Sequence, residues 1–151
     1  MPKNLTIEQT YDKCVSDGNL LPQDKIDINK ITSMLTIIEE YIKVAEELKK
    51  HNSYNVQYDT NYSILHMLTE AILLFDKIKS SNHQCLFTAL CIKHPELELD
   101  WNFFEKIRTK RNGIHYYGTQ VNKEDWKTIE LQTQIYIKTL HKKLKEKIKE
   151  K

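Results

Sequence analysis

The chain has 151 residues, of which 40% are hydrophobic and 29% charged, and its formal net charge is +2. This composition is typical of one soluble globular domain and excludes a disordered chain. The nearly balanced charge gives no indication of a nucleic-acid or membrane partner from the molecule as a whole. Any such indication must come from local clustering of charged residues.

Three cysteines, an odd number without regular spacing, favour a reducing compartment over a disulfide-linked secreted scaffold. The N-terminal sequence MPKNLTIEQT has no apolar core, so we expect no secretory signal. The longest apolar run, Ala71–Phe75, is too short to span a bilayer. These features predict a cytoplasmic protein without a membrane partner.

Residues 1–24 are weakly patterned and are predicted to form an N-terminal extension with one short helix from Thr6. Residues 25–151 form the predicted helical domain. Its first helix is indicated by apolar residues at spacings of three and four from Ile28 to Leu48. Glutamates and lysines fill the opposite, solvated face of this helix.

A polar stretch, HNSYNVQYDTNY, separates this helix from the next one, for which Asp59 or Thr60 is the predicted cap. The segment Gln84–Ile92 is apolar nearly all round, which predicts a short buried helix. We expect that helix to stop at His94, because a residue before proline disfavours the helical conformation.

Asp100 and Asn122 are the predicted caps of the last two helices, and the second of these is long and rich in lysine. The sequence has no pattern typical of a strand and no internal repeat. It therefore predicts an all-α fold, an antiparallel bundle of four to five helices.

Both arginines of the chain lie in one stretch, IRTKRNGIHYYG. On an unbroken helix Arg108, Arg111 and His115 share a ridge, because each arginine is within ~40° of the histidine around the helix axis. Asn112-Gly113 is also a turn signal, and if the helix ends there His115 lies on a loop. Within one chain Arg111 is the better neighbour of His115, whereas Arg108 meets a histidine more readily across a symmetric dimer.

These residue types suit the cleavage of RNA without a metal ion. The ribose 2′-hydroxyl attacks the adjacent phosphate, His115 moves a proton, and a planar guanidinium stabilises the charge that develops on the phosphate oxygens. Tyr116 and Tyr117 can stack on the bases of single-stranded RNA. Lys110 belongs to the densest basic patch and is a candidate for phosphate contacts.

In its helical setting, this stretch resembles the signature of the HEPN (higher eukaryotes and prokaryotes nucleotide-binding) superfamily. That signature is an Arg, often followed by Asn or Asp, and a His after four to six intervening residues. Arg108 satisfies the spacing to His115, whereas Arg111-Asn112 supplies the Arg-Asn pair. Tyr117 fits the His-x-Tyr continuation found in toxins of the family.

The resemblance implies a metal-independent endoribonuclease that cleaves single-stranded RNA, acts as a homodimer without a cofactor and serves as a toxin or defence protein. A nucleotidyltransferase antitoxin is an implied partner. The implied catalytic residues are Arg108, Arg111 and His115, and the expected RNA contacts are Lys110, Asn112, Tyr116 and Tyr117. Members of the family that have lost catalysis imply an alternative, a noncatalytic module that binds a nucleotide, an RNA or a partner protein.

Four potential zinc ligands lie close together in the sequence: His83, Cys85, Cys91 and His94. They lack the paired spacing of structural zinc sites, so we expect buried cysteines on an apolar helix and no metal. We also expect His66 to be partly buried and held by Glu70, four residues further on. Glu70 and Asp76 are candidate acids that a neighbouring helix contributes to the site.

Overall fold

The computed structural model describes residues 4–151, which form a helical bundle, and the predicted all-α fold is confirmed. The helices of this part of the chain are α1 (Ile7–Ser16), α2 (Ile28–Leu48), α3 (Tyr54–Phe75), α4 (His83–Lys93), α5 (Trp101–Tyr117) and α6 (Lys123–Lys149). A short 3-10 turn, Pro95–Leu97, follows α4. Within residues 4–151, no helix combines the length and the apolar character needed to cross a bilayer.

Most helix starts are fixed by local capping. Thr6 and Gln9 form a reciprocal capping box at the start of α1, so the short helix expected from Thr6 is present. The Asp100 carboxylate accepts a hydrogen bond from the backbone N–H of Asn102, and Asn122 caps α6 through the N–H of Asp125. The predicted caps Asp100 and Asn122 are therefore confirmed, as is the end of α4 before His94.

The predicted start of α3 at Asp59 or Thr60 is wrong. The helix begins at Tyr54, after Ser53, and the polar stretch interpreted as a connection forms its first two turns. Tertiary contacts stabilise these turns: Gln57 Nε2 donates to the carbonyl of His51 at 2.8 Å, and the Asn55 side chain accepts from the N–H of Val121 at 2.6 Å. The partner of Asn55 is 66 residues away and is invisible to local pattern reading.

The core is organised around α3, which packs against α2, α4, α5 and α6. Its fully buried apolar residues include Leu65, Leu68 and Ile72. The buried hydroxyl and amide groups on α3 are hydrogen-bonded, as is usual for such groups in a protein interior. Asn61, for example, donates to the Gln57 carbonyl at 2.8 Å and accepts from Gln134 of α6 at 2.9 Å.

Two connections of the bundle pair as very short strands, β1 (Leu21–Pro22) and β2 (Ile78–Lys79). They run antiparallel, with Leu21 opposite Lys79. No strand was predicted, because two residues are too few to show an alternating pattern.

A disulfide joins Cys14 of α1 to Cys85 of α4, across a sequence separation of 71 residues. The cysteine count, which favoured unpaired thiols, is therefore misleading for these two residues. Cys91 is the free cysteine of the described chain, and burial raises its pKa to about 12. Because Cys85 is in the disulfide, it is not available as a zinc ligand.

His94 joins the end of α3 to the turn after α4. Its Nε2 lies 2.7 Å from Asp76 Oδ2 and its Nδ1 lies 3.0 Å from Glu96 Oε1. The imidazole is buried, with 6% of its side chain exposed. The hydrogen bond to Asp76 raises the pKa of His94, and the bond to Glu96 acts in the same direction. Asp76, considered above as a site acid, is thus engaged elsewhere.

We expect the Cys14→Ala/Cys85→Ala variant to lose about 2–4 kcal/mol of unfolding free energy, because it no longer restricts the unfolded chain. Urea unfolding followed by circular dichroism measures the loss. Dithiothreitol should destabilise the native chain by a similar amount and leave the double variant unchanged. Equal stability of the native chain with and without the reductant contradicts the pairing.

The raised pKa of His94 makes its contribution to stability depend on pH. That contribution is full below the unfolded-state pKa of ~6.5 and is lost as the pH rises through the higher folded-state pKa. The stability difference between the native chain and His94→Gln should therefore shrink as the pH rises above about 6.5. His51→Gln, at an exposed histidine, is the control. A stability difference that grows as the pH rises would contradict a raised pKa of His94.

Candidate functional site

α5 carries the arginines and the histidine on one continuous helix. It runs through Asn112-Gly113 without a break and ends at Tyr117, where Gly118 adopts the left-handed conformation with φ 64°. The alternative that the helix ends at Asn112-Gly113 is therefore wrong. Gly118 supplies the stop signal, since glycine reaches positive φ without strain.

Two contacts hold α5 against the core just before the arginines. The Tyr58 hydroxyl of α3 donates to the carbonyl of Ile107 at 2.8 Å, and this hydrogen bond is buried. The rings of Phe87 and Phe104 stack with their centroids 4.6 Å apart, which packs α4 against α5. Residues 108–115 consequently project from a rigidly held helix.

His115 and Arg111 converge on Asp59 of α3. His115 Nε2 donates to Asp59 Oδ1 at 2.7 Å, and Arg111 Nε lies 3.9 Å from the same oxygen. Because an ionised carboxylate only accepts hydrogen bonds, Nε2 carries a proton in this contact, and in the tautomer with one ring proton Nδ1 is left as an acceptor. The His115 and Asp59 side chains are each 40% exposed, so a ligand can reach them.

Arg108 is held one turn away by a different acid. Its Nη2 and Nε donate to the two oxygens of Glu105, at 3.0 and 3.3 Å. Glu105 also accepts from Gln84 Nε2 of α4 at 2.9 Å. This two-point contact orients the Arg108 guanidinium and leaves its other N–H groups for a further acceptor.

Arg111 forms no hydrogen bond with the described residues and lies over the ring of Tyr62, with its central carbon 5.4 Å from the ring centroid. The Tyr62 hydroxyl lies 3.0 Å from Nδ1 of His83, the first residue of α4. Burial, reinforced by His66 and Arg111, lowers the pKa of His83 to about 4. Burial raises the pKa of Tyr62. Near neutral pH the pair is therefore an uncharged imidazole and a phenol that can donate to it.

The polar contacts continue from His83 to His66 and Glu70. The two imidazole rings have centroids 4.0 Å apart, and His66 Nδ1 lies 2.8 Å from Glu70 Oε1. The expected His66–Glu70 contact is confirmed. His66 Nε2 is buried and has no hydrogen-bond partner among residues 4–151.

The expected RNA-contacting residues fall on different sides of α5. Asn112 shares the face of Arg108, about 40° away around the axis. Tyr116 and Tyr117 are 73% and 83% exposed at the end of the helix. Lys110 instead lies about 160° from Arg108, and its Nζ is 3.6 Å from Asp125 of α6. The structure thus places Asn112 beside Arg108 and both tyrosines exposed at the end of α5. Lys110 and Tyr117, about 180° from Arg108, lie on the opposite side of the helix.

Sequence reasoning missed the acids that organise the site. Asp59 was interpreted as a helix cap and Glu105 was not considered. Once α3 is seen to start at Tyr54, however, a signal is visible in the sequence. Polar residues recur at spacings of three and four along one helical face: Asp59, Tyr62, His66 and Glu70.

Arg108, Arg111 and His115 form a face of α5 that we call the arginine face. It offers two guanidinium groups and an oriented imidazole within a solvent-accessible surface. Among the described residues, no group of three or more histidine, cysteine or acidic side chains is arranged to hold a metal ion. Its chemistry is that of anion binding and proton transfer. No family model, curated protein or solved structure matches the chain.

Proposed function

We propose that this chain is a metal-independent endoribonuclease of HEPN type, acting on single-stranded RNA as a toxin or defence protein. The observation that carries the proposal is the convergence of His115 and Arg111 on Asp59. A phosphodiester beside this group meets a proton acceptor and a planar cation at once. The continuous α5 helix and the exposed tyrosines at its end support the same reading.

In the proposed reaction, Nδ1 of His115 takes the proton of the ribose 2′-hydroxyl while O2′ bonds to phosphorus. The bond from phosphorus to the 5′-oxygen breaks, and a proton from the imidazolium or from water neutralises the leaving oxygen. The products are a 2′,3′-cyclic phosphate and a 5′-hydroxyl. Asp59 keeps the other nitrogen of His115 protonated, so that the reactive nitrogen is free at the start.

Of the two arginines, Arg111 is the better candidate for the phosphate ligand. It shares Asp59 with His115 and makes no hydrogen bond with other described residues. Arg108 is engaged by Glu105 and serves as the second cation of the face. The proposal includes a homodimer that pairs through the arginine face. The second copy then contributes its own arginines and histidine to the site.

The noncatalytic alternative has one observation in its favour: both arginines already lie near carboxylates, Asp59 and Glu105, which compete with a phosphate. A chain that binds RNA or a nucleotide without cutting it would fit this arrangement. Cleavage assays decide between the two functions. A nucleotidyltransferase antitoxin and the physiological RNA belong to the same proposal and are identified by copurification.

We expect His115→Ala to lower RNA cleavage by about 10²–10⁴-fold, the usual contribution of a general base. Cleavage of a labelled single-stranded RNA under single-turnover conditions measures the loss. The matched control is His141→Ala, because His141 of α6 also contacts a carboxylate, Glu39, at 2.9 Å. Both variants should keep the native helicity and melting temperature.

The same assay tests the route of the reaction. EDTA should leave cleavage unchanged, and RNA carrying 2′-O-methyl groups should bind and remain intact. Cleavage that EDTA abolishes, or upstream products that carry a 3′-hydroxyl group at the cleavage site, would rule out the metal-free scheme. Binding without any cleavage, over varied substrates and pH, would support the noncatalytic module.

Asp59→Asn should separate binding from cleavage. An amide no longer fixes the proton on Nε2 of His115, so we expect cleavage to fall by about 10²-fold or more. RNA affinity should stay the same or rise, since a negative charge beside Arg111 is removed. Because the pair is partly exposed, its effect on folding stability should stay within about 1 kcal/mol. Glu39→Gln is the control, and a parallel loss of binding and cleavage would contradict an orienting role.

A further inference from the structure

A second, unassigned cleft adjoins the arginine face. It lies between α1, the start of α4 and the start of α5, and it has a volume of about 520 Å³. This volume is within the range of small-molecule sites, ~300–1,000 Å³. We call it the amide cleft, after the side chains that dominate its wall: Asn19, Asn82, Gln84 and Asn102, together with Trp101 and Glu105.

The lining of the amide cleft suits an uncharged ring with hydrogen-bonding edges. Its charged members are one lysine, Lys13, and two acids, Asp17 and Glu105, so the wall as a whole does not favour a phosphate. Carboxamides both donate and accept, which matches the edge of a nucleobase. The side chains of Asn19 and Asn102 have no hydrogen-bond partner among residues 4–151, so they are available to a ligand.

Trp101 gives the cleft an aromatic wall of fixed orientation. Its indole N–H donates to Thr88 Oγ1 at 2.9 Å, which holds the ring in place. Unstacked RNA bases are commonly held by stacking on such rings while their edges are read by hydrogen bonds. A rigid ring beside free carboxamides therefore provides both elements of base recognition.

Glu105 connects the amide cleft to the arginine face. It lines the cleft, accepts from Gln84 at 2.9 Å, and holds Arg108 at 3.0 Å. A base in the cleft would thus lie beside the cation that faces the RNA backbone. Glu105 already accepts three hydrogen bonds, two from Arg108 and one from Gln84, so the free carboxamides are better placed than this acid to read a base. Asn and Gln side chains pair in two-point fashion with adenine.

We propose that the amide cleft holds an adenine base of the bound RNA strand, next to the phosphate contacted by Arg108 and Arg111. This inference rests on the proposed function in that its ligand is RNA. The cleft selects the base, and the arginine face binds the backbone whatever the sequence. Asn19 and Asn102 read the adenine edge, and Trp101 stacks on its face.

The test uses the His115→Ala chain, because its cleavage is expected to be about 10²–10⁴-fold slower and binding can then be measured. Two fluorescein-labelled probes are compared by anisotropy: a decamer of uridine and the same decamer with one central adenosine. We expect the adenosine to raise affinity by about 10-fold, the discrimination of one good two-point contact. Asn19→Ala/Asn102→Ala should remove that ratio. Asn29→Ala, at an exposed asparagine of α2, should keep it.

A second variant separates recognition from folding. Asn19→Asp/Asn102→Asp keeps the side-chain shapes and removes the donors. Its added charge weakens both probes alike, so the ratio between them is the informative quantity. If the ratio of the two affinities falls to one in both double variants, the proposed adenine site in the amide cleft is supported. A ratio of one in the parent chain, or a ratio that both double variants retain, overturns it.

Failure of this inference and failure of the proposed function give different results. If the chain with His115 intact cleaves both decamers and the adenosine does not change the affinity, the nuclease proposal is supported and the adenine site is contradicted. If neither decamer is cut while the adenosine preference depends on Asn19 and Asn102, the nuclease proposal is contradicted and the amide cleft is supported as a binding site.

Discussion

α3 is packed between α2, α4, α5 and α6, and the rest of the molecule depends on how this one helix satisfies its polar groups. A helix in that position cannot leave a hydroxyl or an amide without a partner, because the lost hydration is not replaced. Tyr58 meets this requirement by donating to the backbone of α5, and Asn61 by bonding with Gln134 of α6. The Tyr58 contact helps to fix where α5 lies, so the demands of the interior decide which side chains of α5 face Asp59.

The parts of the fold that follow from local chemistry were predictable from the sequence. Asp100 and Asn122 mark helix starts because their side chains bond to backbone groups two or three residues away. The beginning of α3 was not predictable in this way, since Asn55 and Gln57 find partners far along the chain or in the preceding loop. The disulfide was equally hidden, because the packing of α1 on α4 decides which cysteines meet.

In the candidate site, too, local sequence predicts some features and tertiary packing decides the others. Helical spacing alone placed Arg108, Arg111 and His115 on one ridge, but it could not name the acids that hold them. Asp59 and Glu105 are carboxylates among 21 acidic residues, and neither has a distinctive motif. Lys110 was wrongly grouped with the arginines. It is close to them in sequence, yet its position on the helix turns it toward α6. A basic patch read along the sequence is therefore not a basic surface.

The covalent link between Cys14 and Cys85 encloses all of α2 and α3 in a closed ring of polypeptide. A protease that nicks the backbone once inside that ring, for instance in the connection between α2 and α3, would not separate the two pieces. They would stay joined through sulfur and migrate as one molecule until a reductant released them. The helix that organises the core is thus retained topologically as well as by packing.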